Sequence, residues 1–242
     1  SAASDVYKRQ QQQGEDLGLT VLSDRKGRFE ANVRKLGDQV GATFIHECDV
    51  SIDESIQQMS DALKAKWDRL DFLIHSLAYA DQQDLQIPFS STSREGFSKA
   101  HLISAYSLMP LTHHLLPLMR ESDGASILSI SFIGSVLAVP NYNVMGPAKA
   151  ALESSVRYLA RELGPENIRA NVISPGAIRT LSASGIKNFS EMLRVAGEHS
   201  AMKRTATQEE VGKTAAFLCS DAASAITGQV IYVDCGYSIM AN

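Results

Sequence analysis

The chain's 242 residues carry 23 Lys and Arg against 27 Asp and Glu, a net charge of −4, and 44% of them are hydrophobic. That content suits one α/β domain with a sizeable core, and the well-mixed charge argues against the net basic face of a nucleic-acid-binding domain. No apolar run approaches the length of a membrane span, and no signal peptide opens the chain. Cys48, Cys219 and Cys235 are far apart and form no CxxC or Cys/His spacing, so reduced thiols in a cytoplasmic protein, and no metal, are expected.

In chain order, the apolar patterning predicts a strand at Leu17–Leu22, a helix at Lys26–Leu36 and a strand at Thr43–Cys48. A helix at Glu54–Lys66, with Asp53 as its cap, leads to a strand at Leu70–His75 and a long helix at Arg94–Met119. Strand Ser126–Ser131 follows Gly124, and helix Asn143–Leu163 is stopped by Gly164 and Pro165. Strand Arg169–Ile173, helix Gln208–Ser220 and strand Val230–Val233 complete the chain. This alternation is that of a doubly wound parallel sheet with crossover helices. The stretch Ala177–Thr207 lacks periodicity and is too long for a simple connection, which makes it a functional loop or lid, about residues 178–207.

The start departs from that pattern. A doubly wound dinucleotide fold opens with a strand, a glycine-rich turn and a helix whose N-terminus holds a pyrophosphate. Nothing before Leu17 supplies these parts, and Gln11–Gly14 reads as the tail of a helix. The expectation is a chain lacking the first strand, the glycine-rich turn and most of the first helix, about one βα unit of ~25 residues. Residues Ser1–Gln10 (SAASDVYKRQ) read as the in-frame translation of a sequencing-library adapter, leaving 11–242 as a single Rossmann-like domain.

The most informative segment is Asn141–Lys149 (NYNVMGPAK), which sets Tyr142 and Lys149 seven residues apart after a strand. Seven helical residues make about two turns, ~10 Å, so both side chains would share a face, with Pro147 tolerated in the first turn. The phenol can hydrogen-bond a carbonyl oxygen that becomes an enolate. The ammonium can hold a cofactor ribose while its charge lowers the phenol's pKa. The alternative reading is an exposed tyrosine and an ordinary surface lysine.

From about Gly14 onward the chain resembles the short-chain dehydrogenase/reductase superfamily, and within it the enoyl-acyl-carrier-protein reductases. The resemblance is carried by PNYNVMGPAKAALE (Pro140–Glu153), SPGAIRTLSASGIKNF (Ser174–Phe189) and AAFLCSDAASAITGQVIYVD (Ala215–Asp234). Ordinary members of the superfamily space the tyrosine and lysine four apart, whereas these reductases use seven. The resemblance implies hydride transfer from NADH to a trans-2-enoyl thioester on acyl-carrier protein, the last step of each fatty-acid elongation round. It also implies a homotetramer in which the two long central helices pair across a dyad, supported here by apolar positions such as Leu108, Leu111, Leu115, Leu152 and Val156, some of which must be core.

On the same footing, Tyr142 would be the enolate-stabilising donor and Lys149 the ribose ligand. Asp49 and Val50 match the pair that meets the adenine, and the main chain of Ser76, Leu77 and Ala78 would line the cofactor. Ile178 would contact the nicotinamide carboxamide and Thr180 the pyrophosphate. Ala80, Phe132, Met145 and Ile186 would touch substrate. Phe132 stands where many of these enzymes have a second tyrosine, leaving Tyr142 as the phenol donor, and it reads equally as a core aromatic. Asp24 suits NADH, while Arg25, Lys26 and Arg28 could hold the extra phosphate of NADPH, the less favoured cofactor. Two other functions stay open: another short-chain reductase, acting on a ketone or a non-carrier enoyl thioester, and a catalytically dead binding or scaffold protein.

Overall fold

A computed structural model describes residues 30–178 and 189–241. The expectations for the first strand, for Ser1–Gln10, and for Asp24, Thr180 and Ile186 lie outside the described residues. Within them, four strands form one parallel sheet in the order β1 (Phe72–His75), β2 (Ala125–Ile130), β3 (Ile168–Pro175) and β4 (Val230–Val233). Helices cover both faces, the three-layer arrangement of a Rossmann-like α/β fold.

Before the sheet come α1 (Glu30–Val40) and α2 (Asp53–Lys64). Asp53 is the first residue of α2 rather than its cap, which is Ile52 without a side-chain bond. Its carboxylate still sits where the helix dipole favours negative charge. Between β1 and β2 run α3 (Gln82–Gln86), α4 (Arg94–His101) and α5 (Leu108–Arg120). The helix expected as one piece from Arg94 to Met119 is divided by a π-helical turn, Leu102–Tyr106. Helix α6 (Met145–Leu163) links β2 to β3, while α7 (Phe189–His199) and α8 (Gln208–Cys219) lie between β3 and β4. Helix α7 falls inside the stretch that showed no periodicity. Helix α8 is closed at its start by a reciprocal cap, with Thr207 accepting from the Glu210 amide and Glu210 accepting from the Thr207 amide.

Thr43–Cys48 has no ladder partner among the described residues, and a strand exists only through its neighbour's backbone. Its predicted companion, Leu17–Leu22, lies outside the described residues. Packing holds the segment instead: Phe44 tilts against Trp67 at 5.7 Å, and Cys48 and Val50 are buried beside Ile56, Met59 and Leu63 of α2.

The strands present opposite faces to the two helix layers. Ile127, Ala170 and Val172 pack under Leu152, Val156 and Leu163 of α6, whereas Leu128 and Ile173 pack under Val211, Ala215 and Leu218 of α8. The helix positions cited in support of pairing between copies, Leu108, Leu111, Leu115, Leu152 and Val156, are all buried in the core. The apolar groups exposed along the long helices and the π-helical turn include Phe97, Leu102, Tyr106, Met109 and Tyr158.

Candidate active site

The site sits at the carboxyl ends of β1 and β2, where open α/β sheets bind ligands. Tyr142 is not part of a helix. It lies in the turn before α6, between Asn141 (φ 61°) and Asn143 (φ 37°), both left-handed. Asparagine tolerates that conformation, and two such residues stop the helix from starting before Met145. The expectation of two helical turns from Tyr142 to Lys149 is therefore corrected. Pro147 is the third helical residue, within the first turn, as expected.

Asn143 also anchors its surroundings. Its Nδ2 donates towards the carbonyls of Ile87 (2.8 Å), Leu85 (3.2 Å) and Asp84 (3.3 Å), tying the end of α3 to the turn that holds the phenol. On the other side the Tyr142 ring meets Phe132 edge-on at 4.9 Å between centroids. The ring fits only because residue 134 is glycine: a Cβ there would lie 2.5 Å from Tyr142 Cδ1. Ala80, Leu85, Val144 and Met145 complete an apolar pocket around Tyr142. Burial raises the phenol's pKa well above its ordinary value, so it is protonated and can donate. This reverses the expectation that Lys149 lowers it.

Lys149 is buried in the second turn of α6. Its Nζ donates to the carbonyl of Ile130 at 2.6 Å and of Leu77 at 3.4 Å, the last residue of β2 and a residue just past β1. Burial brings its pKa down to about 8, and Glu153, one turn further on, works in the opposite direction. The chemistry of this donor set fits a dinucleotide. A buried ammonium with three N–H groups spends two on carbonyls, leaving one to meet a ribose hydroxyl at the sheet's ligand-binding edge.

Three buried groups nearby escaped the sequence reading. His75, the last residue of β1, bonds through Nε2 to Ser107 Oγ at 2.8 Å. Since Ser107 itself donates to the Ile103 carbonyl, the imidazole donates from Nε2 and is left with an unpartnered Nδ1. Burial and the Lys149 charge push its pKa down to about 3, so it is neutral. Glu153 accepts from Ser131 Oγ at 2.5 Å. Ser104, in the π-helical turn, accepts from the Tyr79 amide and donates to the Tyr79 carbonyl, fixing the loop that carries Ala80. The available signal was polar residues at positions where the periodicity requires core.

Of the other expected residues, Leu77 meets Lys149 through its carbonyl. Ser76 and Ala78 are exposed on the β1 exit, with Leu77 half-buried between them. Asp49 ends the Thr43–Cys48 segment, where its Oδ1 accepts from the Ser51 amide (2.9 Å) and hydroxyl (2.6 Å), and Val50 is buried against α2. Ile178 packs near α8 and lines a cavity of about 530 Å³ with Leu193 and Arg194 of α7, Thr205 and Gln208. Among the described residues, no three His, Cys, Asp or Glu side chains could hold a metal ion together, and no helix is long and apolar enough to cross a membrane.

Known proteins carry the same plan. The family described as "Enoyl-(Acyl carrier protein) reductase" matches residues 1–238. The chain belongs to the enoyl-acyl-carrier-protein reductase family. The NADH-dependent enoyl-acyl-carrier-protein reductase FabI of Nostoc sp. is 52% identical over 227 residues, 94% of this chain and 87% of that one. The crystal structure of the NADH-dependent reductase of Aquifex aeolicus superposes with a TM-score of 0.93 at 42% identity, covering 100% of this chain and 93% of its own. The reductase of Anaplasma phagocytophilum, solved with NAD, gives 0.90 at 37% identity over 100% of this chain and 88% of that one. Within this reductase family, the pocket formed here by Tyr142, Phe132, Ala80 and Met145 beside Lys149 is the candidate reaction centre.

Proposed function

We propose that this protein reduces trans-2-enoyl thioesters of acyl-carrier protein with NADH, the last reduction of a fatty-acid elongation round. The observation carrying this reading is a protonated phenol in an apolar pocket, beside a buried ammonium at the sheet edge, in a chain of this family. NADH, when bound, supplies the reducing equivalent to the β-carbon of the substrate. Tyr142 donates a hydrogen bond to the thioester oxygen as negative charge develops there, a contribution that typically amounts to ~3 kcal/mol. Lys149 holds the ribose hydroxyls. Phe132, Met145 and the main chain of Ala80 enclose the acyl end and exclude water, a role in which Ile186 would join them.

For the cofactor, the main chain of Ser76, Leu77 and Ala78 lines the floor, Asp49 and Val50 take the adenine end, Ile178 meets the carboxamide and Thr180 the pyrophosphate. The segment 178–207 acts as the lid, and α7 with its adjoining cavity supports that role. The protein acts as a cytoplasmic homotetramer, and the exposed stripe of Leu102, Tyr106 and Met109 with Tyr158 supports pairing of the long helices. Light scattering at micromolar concentration showing only monomer would remove the assembly.

The decisive assay sets crotonyl against acetoacetyl thioesters, each with NADH and with NADPH. Turnover of the crotonyl substrate with NADH is expected. Preferential ketone reduction would make the protein a different short-chain reductase, and NADH binding without turnover of either substrate would make it a binding protein.

A further inference from the structure

Consecutive residues at the end of β2 seat two opposite charges. The Ile130 carbonyl accepts from Lys149 Nζ at 2.6 Å, and the next residue, Ser131, donates to Glu153 Oε1 at 2.5 Å. Lys149 and Glu153 stand four residues apart on α6 and so share a face of the helix. Both are buried, at 4% and 6% exposure. A carboxylate taken out of water with one serine hydrogen bond is a poor stabilising device, because its desolvation outweighs a single bond. Its compensation is the positive charge one turn back.

The other groups facing this pair leave that charge to Glu153. From β1, His75 is neutral, held as a donor by Ser107. From the turn before α6, Tyr142 is protonated. From β4, Tyr232 lies within electrostatic reach of Glu153 and has a raised pKa, so it too is neutral. Asp234 turns its oxygens to the amides of Gly236 and Ser238. Ser129 and Ser174, in register with His75 and Tyr232, add buried hydroxyls without partners but no charge.

We propose that Glu153, held by Ser131, is a positioning residue of the reductase site, the buried counter-charge that keeps the Lys149 ammonium protonated for the cofactor ribose. This rests on the reading of Lys149 as a ribose ligand. Glu153 touches no reacting atom and acts only through Lys149. Burial alone opposes the ammonium, and Glu153 is the group that offsets it.

The test uses protein labelled with 13C at the lysine ε-carbon, so that Lys149 is titrated by NMR without cofactor, alongside NADH affinity from pH 6 to 9. In wild type the Lys149 midpoint should lie near 8. In Glu153→Gln, which preserves shape and a hydrogen bond to Ser131, it should fall by about one pH unit. NADH affinity should then drop about 5-fold at pH 8 and towards ~10-fold at pH 9, with little change at pH 6. Glu153→Asp should recover most of the shift, and Ser131→Ala should give a smaller shift in the same direction. An unmoved Lys149 midpoint in Glu153→Gln, or an affinity loss equal at every pH, would overturn the proposal. If the midpoint moves while even wild type fails to bind NADH, the pairing stands and the proposed function falls.

Discussion

The two faces of the sheet are built from alternate residues of the same strands, yet they are used differently. On the α8 face, Leu128 and Ile173 meet Val211, Ala215 and Leu218, and the polar groups present are bonded. Ser126 Oγ and Arg169 reach the Leu218 carbonyl, and Asn171 reaches that of Ile226. On the α6 face the strand beginnings are as apolar, through Ile127, Ala170 and Val172, but the strand ends are not. There His75, Ser129, Ser131, Ser174, Lys149 and Glu153 are all buried, and His75 Nδ1, Ser129 Oγ and Ser174 Oγ have no partner. One face supplies cohesion along its whole length. The other gives up cohesion at the carboxyl ends of its strands to hold charge and donors at the ligand edge, as functional sites commonly do.

The contrast can be broken by substitution. Leu128→Ala should destabilise the fold by about 4 kcal/mol in urea titration, since a fully buried leucine leaves both lost contacts and a cavity. Protein that remains folded should keep its Tyr142 chemistry. Next in size, Tyr142→Phe should lower turnover of an enoyl thioester ~10²-fold, about 3 kcal/mol in the transition state, while NADH affinity and the melting temperature stay near wild type. Near-normal turnover would transfer the enolate to another donor. A melting temperature that fell as far as in Leu128→Ala would erase the distinction between the faces.

The pH dependence of stability sharpens it further. His75 titrates near 3 when folded against an ordinary 6.5, so between those values the unfolded chain binds more protons. Stability should fall as pH drops through that window, by at most ~1.4 kcal/mol per pH unit from this group. Lys149, near 8 against 10.5, obeys the same sign, and stability should gain as pH rises from 8 to 10.5. Calorimetry of His75→Gln should show a shallower acid limb, and an unchanged slope would mean that His75 is not buried neutral. The smallest effect belongs to Ser129→Ala. Removing an unpartnered buried hydroxyl should change stability by less than ~1 kcal/mol, towards the stable side.

The sequence displayed β1 to β4 and the helices of the α6 and α8 faces, because apolar period is a local property, while the Tyr142/Lys149 pair stood out through the family resemblance. It hid what depends on three dimensions. Thr43–Cys48 has the composition of a strand, but composition does not name the neighbour whose backbone would pair with it. Helix α7 is amphipathic yet sits among residues with no sustained period. Asn141 and Asn143 betray themselves only through their left-handed backbone, which moved the start of α6 to Met145. His75 and Glu153 are polar letters within apolar patterns, and only the folded neighbours reveal that both are buried around one ammonium.

The π-helical turn at Leu102–Tyr106 has a consequence for how this scaffold can change over generations. A π turn is an α-helix that has absorbed one extra residue, and each α-helical residue advances the azimuth by ~100°. Deleting one residue between 102 and 106 would restore an unbroken helix and rotate α4 about its axis relative to α5. Ser104 would swing away from Tyr79, and the loop bearing Ala80 would lose its two main-chain anchors. Helix α5 would remain seated through Leu111, Leu115 and Leu118. A single-codon length change there would thus act as a dial on the acyl pocket, turning one wall while leaving the sheet and its ammonium where they are.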